Sequence, residues 1–193
     1  ELRAEMEVEI RRYQKELNIP FVYVTHNQEE ALTMSDRMAI MRNGVFEQIG
    51  ARADVYRKPA TAFVASFVGQ SNHIDGIAKE VGKASATLDW RGLPLDIPHQ
   101  GGIAPGGKVR FSIKYEDVDI LPRKAAVNGH AAMNRLTGKL RDIIFKGQTA
   151  NYIVLLDDGS EIVASRSPRD VKLEIGEEVV AQWAANAGMG FPA

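Results

Sequence analysis

The pattern of the sequence changes near residue 70, and this change most strongly limits the folds open to the chain. Before it, helical stretches alternate with apolar runs of β-forming residues, which is the order typical of an α/β sheet. After it, short β-rich runs are separated by Gly, Asn and Asp turn residues, a pattern that indicates a small barrel or sandwich. The sequence therefore predicts an α/β domain at 1–70 followed by an all-β domain at 71–193.

The first region begins with an amphipathic helix, because apolar residues recur along one helical face of residues 2–17. Asn18 and Pro20 end this helix. Residues 21–25 form a near-continuous apolar run of β-forming residues without alternation, which predicts a strand buried on both faces of a parallel sheet. The rest of the region is predicted as a helix at 28–34, a hairpin with strands at 38–41 and 45–49, and short helices at 53–57 and 61–67.

The second region contains a weak internal repeat. Residues 74–81 resemble residues 136–143, and residues 106–109 resemble residues 176–179 in the same order. This repeat predicts two related β units that form one compact body. The eight predicted strands are 74–81, 85–90, 108–113, 118–121, 136–145, 151–156, 161–165 and 178–183.

The composition excludes several classes of function. The chain has 24 Lys+Arg and 25 Asp+Glu residues, a balance that disfavours a general nucleic-acid binder. The chain has no Cys, which excludes disulfides, thiol nucleophiles and cysteine zinc sites. We find no signal peptide and no run of about 20 apolar residues, so any membrane association is expected to go through a partner. Because Glu1 leads into a helix without a cap, we expect the chain to be a piece of a longer protein.

A polar cluster lies where the predicted strand ends and the next helix begins. It consists of Thr25, His26 and Asn27. Ligands gather at the carboxyl ends of strands in open α/β sheets, and helix N-termini favour anions, so His26 is placed like a residue that meets a phosphate. In the alternative interpretation, Thr25 or Asn27 caps the helix and His26 is a half-buried spacer.

Residues 21–50 closely resemble the switch-histidine region of ABC-transporter ATPase subunits, and residues 59–72 resemble the exit into the regulatory domain of importer ATPases. The sequence of residues 29–36, together with Ser71 and Asn72, is most similar to the polyamine and iron(III) branch. The β-rich remainder resembles the transport-associated OB-like domain of that family. The resemblance implies a C-terminal remnant of a P-loop nucleotide-binding domain followed by an OB-like β-barrel regulatory domain.

The resemblance also implies a role for His26, the one candidate catalytic and nucleotide-binding residue. As the switch histidine it would contact the γ-phosphate of ATP and hold the attacking water, which is positional and electrostatic work. The implied ligands are ATP and Mg²⁺, with no metal ligand supplied by this chain. The parent protein would be an ATPase that drives uptake of a polyamine-like solute, with iron(III) or another small solute as the alternative.

The residues that would complete the ATPase are absent from this sequence. It has no Gly-x-x-x-x-Gly-Lys-Ser/Thr loop, no Leu-Ser-Gly-Gly-Gln signature and no acidic Walker B strand. This chain alone is therefore predicted to be inactive. In the family, the whole protein forms a homodimer that works with two transmembrane permease subunits and, indirectly, a solute-binding protein. The resemblance thus implies a peripheral position on the cytoplasmic face of the bacterial inner membrane and no nucleic-acid partner.

Two departures from the family pattern stand out. Asn27 replaces the usual Asp after the histidine, which removes a negative charge but keeps helix-capping ability. Lys114, Tyr115, Glu116 and Asp117 stand where an Arg-Pro-Glu segment is usual, and lysine cannot copy the two-pronged arginine contact. Any ligand or subunit contact that depends on that arginine is therefore in doubt.

Two other interpretations remain open from the residues. The β half could be a stand-alone OB-like ligand or oligonucleotide module, with Arg110–Phe111 and Lys114–Tyr115 as its basic and aromatic pairs. Alternatively, the strands at 21–25 and 38–41 could pair or swap with another copy of the chain. Among the remaining candidates, Trp90 and Trp183 are predicted to pack in the core, and three histidines are predicted to lie on the surface: His73, His99 and His130.

Overall fold

The computed structural model describes residues 2–125 and 132–193, and the chain separates into two compact units. We call Glu1–Gly69 the N-terminal unit and Gln70–Ala193 the β unit. The N-terminal unit contains four helices and one pair of strands: α1 (Leu2–Leu17), α2 (Gln28–Met34), β1 (Arg37–Arg42), β2 (Val45–Ala51), α3 (Arg52–Arg57) and α4 (Ala62–Phe67).

An antiparallel hairpin of β1 and β2 forms the sheet of the N-terminal unit. Asn43 and Gly44 connect the strands with φ angles of 51° and 79°, the left-handed conformation that a two-residue type I′ turn requires. Apolar side chains from the hairpin and the short helices pack together beneath it. The buried members of this small core are Met38, Ile40, Val55, Val64 and Val68.

The strand predicted at 21–25 is wrong for the described chain. These residues lie in neither a helix nor a strand, and the side chains of Val22 and Val24 are 94% and 91% exposed. A strand needs a neighbour to accept its backbone hydrogen bonds and to help cover its side chains. No described strand pairs with this segment, so the predicted parallel sheet is absent from the described residues.

The described residues of the β unit form two five-stranded antiparallel sheets. The strands are β3 (Ser71–Val81), β4 (Ser85–Trp90), β5 (Leu93–Pro98), β6 (Lys108–Lys114), β7 (Asp119–Pro122), β8 (Met133–Phe145), β9 (Ala150–Leu156), β10 (Glu161–Arg166), β11 (Glu178–Ala184) and β12 (Met189–Pro192). The strand orders in the two sheets are β10-β9-β8-β11-β7 and β12-β6-β3-β4-β5.

The internal repeat predicted from the sequence is confirmed by the strand pairing. β3 to β6 in one sheet occupy the same relative places as β8 to β11 in the other. The first repeat is β3 to β7 and the second is β8 to β12. The last strand of each repeat pairs with the other repeat, since β7 pairs with β11 and β12 pairs with β6. This exchange ties the two repeats into one body around a shared core that includes Phe111, Leu136 and Trp183.

Two asparagines at equivalent positions of the repeats join the sheets. The Asn72 side chain on β3 donates to the carbonyl oxygen of Val163 and accepts from its amide, both at 2.8 Å. Asn134 on β8 makes the same pair of bonds to the backbone of Asp96, at 2.7 and 2.8 Å. Both asparagines are buried, and each bonds to the backbone of an edge strand in the facing sheet.

Replacing Asn72 by alanine is expected to destabilise the β unit. The partly buried amide and carbonyl of Val163 would lose their partner, and the loss of such a hydrogen bond costs about 1 kcal/mol. Urea unfolding of the chain, followed by circular dichroism, measures the loss. Asn186→Ala is the matched control, because Asn186 is exposed and surface changes usually stay within about 0.5 kcal/mol. Equal unfolding midpoints for the two variants would contradict the assignment.

Candidate functional site

The turn that carries His26 is capped by its neighbour Asn27. The Asn27 side-chain oxygen accepts from the amides of Glu29 at 2.9 Å and Glu30 at 3.4 Å. Asn27 has extended φ and ψ angles of −90° and 116°, as an N-cap residue should. His26 itself is exposed. The capping function predicted as one alternative therefore belongs to Asn27, and His26 is not a half-buried spacer.

A buried carboxylate, Glu30, lies directly behind this turn, and only 2% of the residue is exposed. Its Oε2 atom accepts from the hydroxyl of Tyr23 at 2.9 Å and from that of Thr25 at 2.7 Å. The Thr25 hydroxyl also accepts from the amide of Asn27, at 2.9 Å. Thr25 and Asn27, the two residues that flank His26, are therefore hydrogen-bonded to each other, and Thr25 is in turn hydrogen-bonded to Glu30.

The sequence reasoning missed Glu30, although a signal for it exists. Asn27 and Glu30 match the capping-box pattern, in which an acidic residue three positions after the N-cap accepts from the N-cap amide. Here Glu30 does not reach the Asn27 amide directly, because the Thr25 hydroxyl lies between them and relays the interaction. The pattern places Glu30 near the turn but does not reveal this relay.

The other end of α2 is satisfied by arginine. One Arg52 guanidinium nitrogen donates to the carbonyls of Leu32, Thr33 and Ser35 at 3.2, 3.3 and 3.0 Å. Arg11 donates to the Thr33 carbonyl at 2.7 Å. A cation suits a helix C-terminus, where the last carbonyls lack partners within the helix. The seven-residue helix behind His26 is thus held at both ends.

The first residue of α2 is also connected to the end of the N-terminal unit. The Gln28 side-chain oxygen accepts from the amide of Gly69 at 2.9 Å. Gly69 has a φ of +74°, and a Cβ atom there would lie 2.7 Å from the Tyr56 ring. Glycine is required at this position for both its left-handed backbone and the close approach of Tyr56.

The other histidines do not join His26. The prediction that His99 is a surface residue is wrong, because His99 is 6% exposed. Its Nδ1 accepts from the Gly101 amide at 2.9 Å, and its Nε2 lies 3.2 Å from the Gly82 carbonyl. Gly82 and Gly101 lie in the segments before and after the β4–β5 hairpin, and these segments contact the His99 ring. His73 is exposed as predicted, whereas His130 lies outside the described residues.

The outer face of the β unit carries a small polar cluster around His73. Arg110 donates two hydrogen bonds to Asp75, each at 2.7 Å, and these bonds hold the pKa of the Asp75 carboxyl below its ordinary value. Although His73 is exposed as a residue, partial desolvation of its imidazole, followed by the nearby Arg110 charge, lowers the pKa of His73. Within residues 2–125 and 132–193, no three His, Asp or Glu residues form a group that could hold a metal ion.

The structure shows where the segment that departs from the family pattern, Lys114 to Asp117, and the two tryptophans lie. Lys114 ends β6, and Tyr115–Asp117 forms a 3₁₀ helix. Burial lowers the pKa of the Lys114 ammonium, which the Glu116 and Asp117 charges oppose. The predicted core positions of Trp90 and Trp183 are confirmed, with 9% and 1% exposure.

Part of the β unit is similar to a known domain family, the TOBE domain. Residues 113–191 match the family model of this domain. The chain is also similar to a solved structure of the cytoplasmic molybdate-binding protein ModG, with a TM-score of 0.56 and 19% identity. The match covers 70% of this chain and 99% of ModG, so the OB-like fold of the β unit is shown.

Over most of its length, the chain is similar to spermidine/putrescine import ATP-binding proteins PotA. The protein from Nitratidesulfovibrio vulgaris is 36% identical and that from Aliivibrio fischeri 33% identical, each over 94% of this chain. The protein from Salmonella typhimurium is 35% identical over 85% of the chain. The matches cover 50%, 49% and 43% of these relatives, so the chain spans about half their length. The predicted resemblance to ABC-importer ATP-binding subunits of the polyamine type is confirmed.

No helix in the described residues is both long and apolar enough to cross a lipid bilayer.

Proposed function

We propose that this chain is the C-terminal part of the ATP-binding subunit of an ABC importer, and that ATP hydrolysis by the whole protein drives uptake of a polyamine-like solute. The observation that carries the proposal is the similarity to spermidine/putrescine import ATP-binding proteins over 94% of the chain. The N-terminal unit would be the last part of the nucleotide-binding domain, a P-loop fold, and the β unit its regulatory domain.

His26 is the residue that this proposal places in the ATPase reaction. Its imidazole is exposed on a turn whose two flanking residues are hydrogen-bonded. An imidazole can donate to or accept from a phosphoryl oxygen or a water molecule. Its proposed work is to contact the γ-phosphate of the substrate ATP and to hold the attacking water in line, since phosphoryl transfer depends mainly on position and charge.

The remaining parts of an ATP site would come from outside this chain. The described residues hold no group of three carboxylate or imidazole side chains that could bind Mg²⁺. Nor does the sequence contain a glycine-rich phosphate loop. His26 by itself cannot bind ATP and Mg²⁺, so we propose that this chain alone is inactive and that ATP and Mg²⁺ bind only in the whole protein.

The partners follow from the same proposal. Two ATP-binding subunits would pair and act on two transmembrane permease subunits, which a solute-binding protein supplies with cargo. The subunit would lie on the cytoplasmic face of the bacterial inner membrane, held there by the permeases.

An oligonucleotide-binding role for the β unit has less support. Single-stranded nucleic acids are bound by exposed aromatic rings beside basic side chains. Phe111 is fully buried in the core, so the Arg110–Phe111 pair offers no ring for a base to stack on. The PotA relatives favour the transport function over this alternative.

A transport assay tests the proposed solute. The complete gene is deleted in the source organism, and uptake of radiolabelled spermidine, putrescine and iron(III) is measured with and without the gene restored. We expect polyamine uptake to fall to background in the deletion and to return with the gene, whereas iron(III) uptake stays unchanged. Loss of iron(III) uptake alone would favour the alternative solute, and unchanged uptake of all three would overturn the proposal.

A further inference from the structure

We propose that Thr25 and Glu30 are positioning residues that act through His26, setting the direction of its imidazole toward the phosphate. This inference rests on the proposed function, because it gives the two residues a part in the same ATPase reaction. If the two residues act through His26, removing the Thr25 hydroxyl should lower the rate of ATP hydrolysis but leave the fold and the ATP affinity unchanged. A purely structural role would not predict this separation.

The first observation is the burial of Glu30. A carboxylate is rarely buried in a folded protein unless it is paired or hydrogen-bonded, yet Glu30 is 2% exposed on a helix of seven residues. Its Oε2 accepts from the hydroxyls of Tyr23 and Thr25, and both of these residues belong to the segment before the turn. The buried carboxylate thus ties the segment that leads into His26 to the helix that follows it.

The second observation is the direction of the hydrogen bonds at Thr25. The amide of Asn27 can only donate, so the Thr25 hydroxyl accepts at that contact and uses its own hydrogen toward Glu30. His26 lies between Thr25 and Asn27, the two residues that the first of these hydrogen bonds joins. Its backbone therefore has little freedom to rotate, although its side chain lies in solvent.

Such restraint matters for a residue that must meet a reacting group. A displacement of about 1 Å at a positioning residue can cost about 100-fold in rate. Thr25→Val removes the hydroxyl and keeps the side-chain shape, so it should release the turn without opening a cavity. Thr25→Ser restores the hydroxyl and should restore the restraint.

The test uses the complete ATP-binding subunit assembled with its permease partners. We expect Thr25→Val to lower kcat for ATP hydrolysis by about 10-fold to 100-fold. KM for ATP should change less than about twofold, because the rest of the proposed ATP site lies outside this chain. Thr25→Ser and Glu30→Gln keep the bonded oxygen atoms and should retain most of the activity. Glu29→Ala is the matched control, since Glu29 is the exposed neighbour of Glu30.

Hydrogen exchange gives a readout that does not depend on activity. In the nucleotide-free subunit, the Asn27 amide should exchange about 10-fold faster in Thr25→Val, because its acceptor is lost. Thr25→Ser and Glu29→Ala should exchange like the unaltered protein. Unchanged exchange in Thr25→Val would overturn the proposed restraint directly.

A double variant separates positioning from a general structural role. If Thr25 acts through His26, the Thr25→Val, His26→Ala double variant hydrolyses ATP no more slowly than His26→Ala alone. Independent, multiplying losses would overturn the inference. Full activity of Thr25→Val beside an inactive His26→Ala would also overturn it, but would leave the proposed function intact. Full activity of His26→Ala would instead overturn the proposed function.

Discussion

Replacing His26 by alanine in the complete ATP-binding subunit is expected to slow ATP hydrolysis about 100-fold to 1,000-fold, the loss typical when one group that stabilises a transition state is removed. The imidazole would contact only the transferring phosphate and its water, so ATP binding should change little. Phosphate release measures the rate, and a fluorescent ATP analogue measures the affinity. A kcat that falls while affinity is kept would place His26 in the chemical step.

His73→Ala is the control for the His26 prediction. His73 is also exposed, and it lies in the β unit with its Nδ1 atom 2.7 Å from the Ser112 hydroxyl. We expect this variant to hydrolyse ATP at the rate of the unaltered subunit. Equal rates for His26→Ala and His73→Ala would remove His26 from the proposed mechanism.

Trp183→Ala is expected to have the largest effect on stability, a loss of about 3–5 kcal/mol. Trp183 is 1% exposed, and its ring stacks on Phe111 with the ring centroids 6.3 Å apart. Because domains are stable by only about 5–15 kcal/mol, this cavity should leave the β unit close to unfolded. Urea unfolding followed by far-ultraviolet circular dichroism measures the loss.

Two further variants define the Trp183 result. The indole Nε1 is buried and has no hydrogen-bond partner in the described part of the chain. Trp183→Phe removes this unsatisfied donor along with some volume, and should therefore cost less than half as much as Trp183→Ala. Phe145→Ala is the exposed control, at 68% exposure, and should stay within about 0.5 kcal/mol. A Trp183→Ala loss as small as that of Phe145→Ala would contradict the core assignment.

Local patterns predicted most strands of the β unit, including the edge strands β7 and β10, but missed both edge strands of the other sheet. β5 and β12 were missed, and both are outermost in their sheet. β5 contains Pro94 and Pro98, which cannot donate to a ladder and so disfavour a strand in a sequence pattern. An edge position tolerates them because one side of the strand needs no partner. Only the assembled sheet shows which strands are at an edge.

At the candidate site, too, the sequence predicted some features and only the structure showed the others. The residue types and order around His26 left open a phosphate contact or a simple helix cap, and only the resemblance gave His26 a role in the ATPase reaction. Neither showed that Glu30 is buried behind the turn or that Thr25 relays its hydrogen bond, because these contacts depend on side-chain directions after α2 has packed. His99 was likewise misjudged, since a histidine in a loop between β-rich runs carries no sign of its burial.

The sequence by itself determined the change of class near residue 70, the repeat in the β region, the position of His26 before a helix, and the family resemblance. These features depend on residue types at short spacing, which local backbone preferences and hydrophobic periodicity express directly. Only the tertiary structure decided that residues 21–25 have no partner strand among the described residues, that the last strands of the repeats exchange, and that Asn72 and Asn134 join the sheets. Each of these depends on which distant segments meet, and hydrogen bonding and burial are settled only when they do.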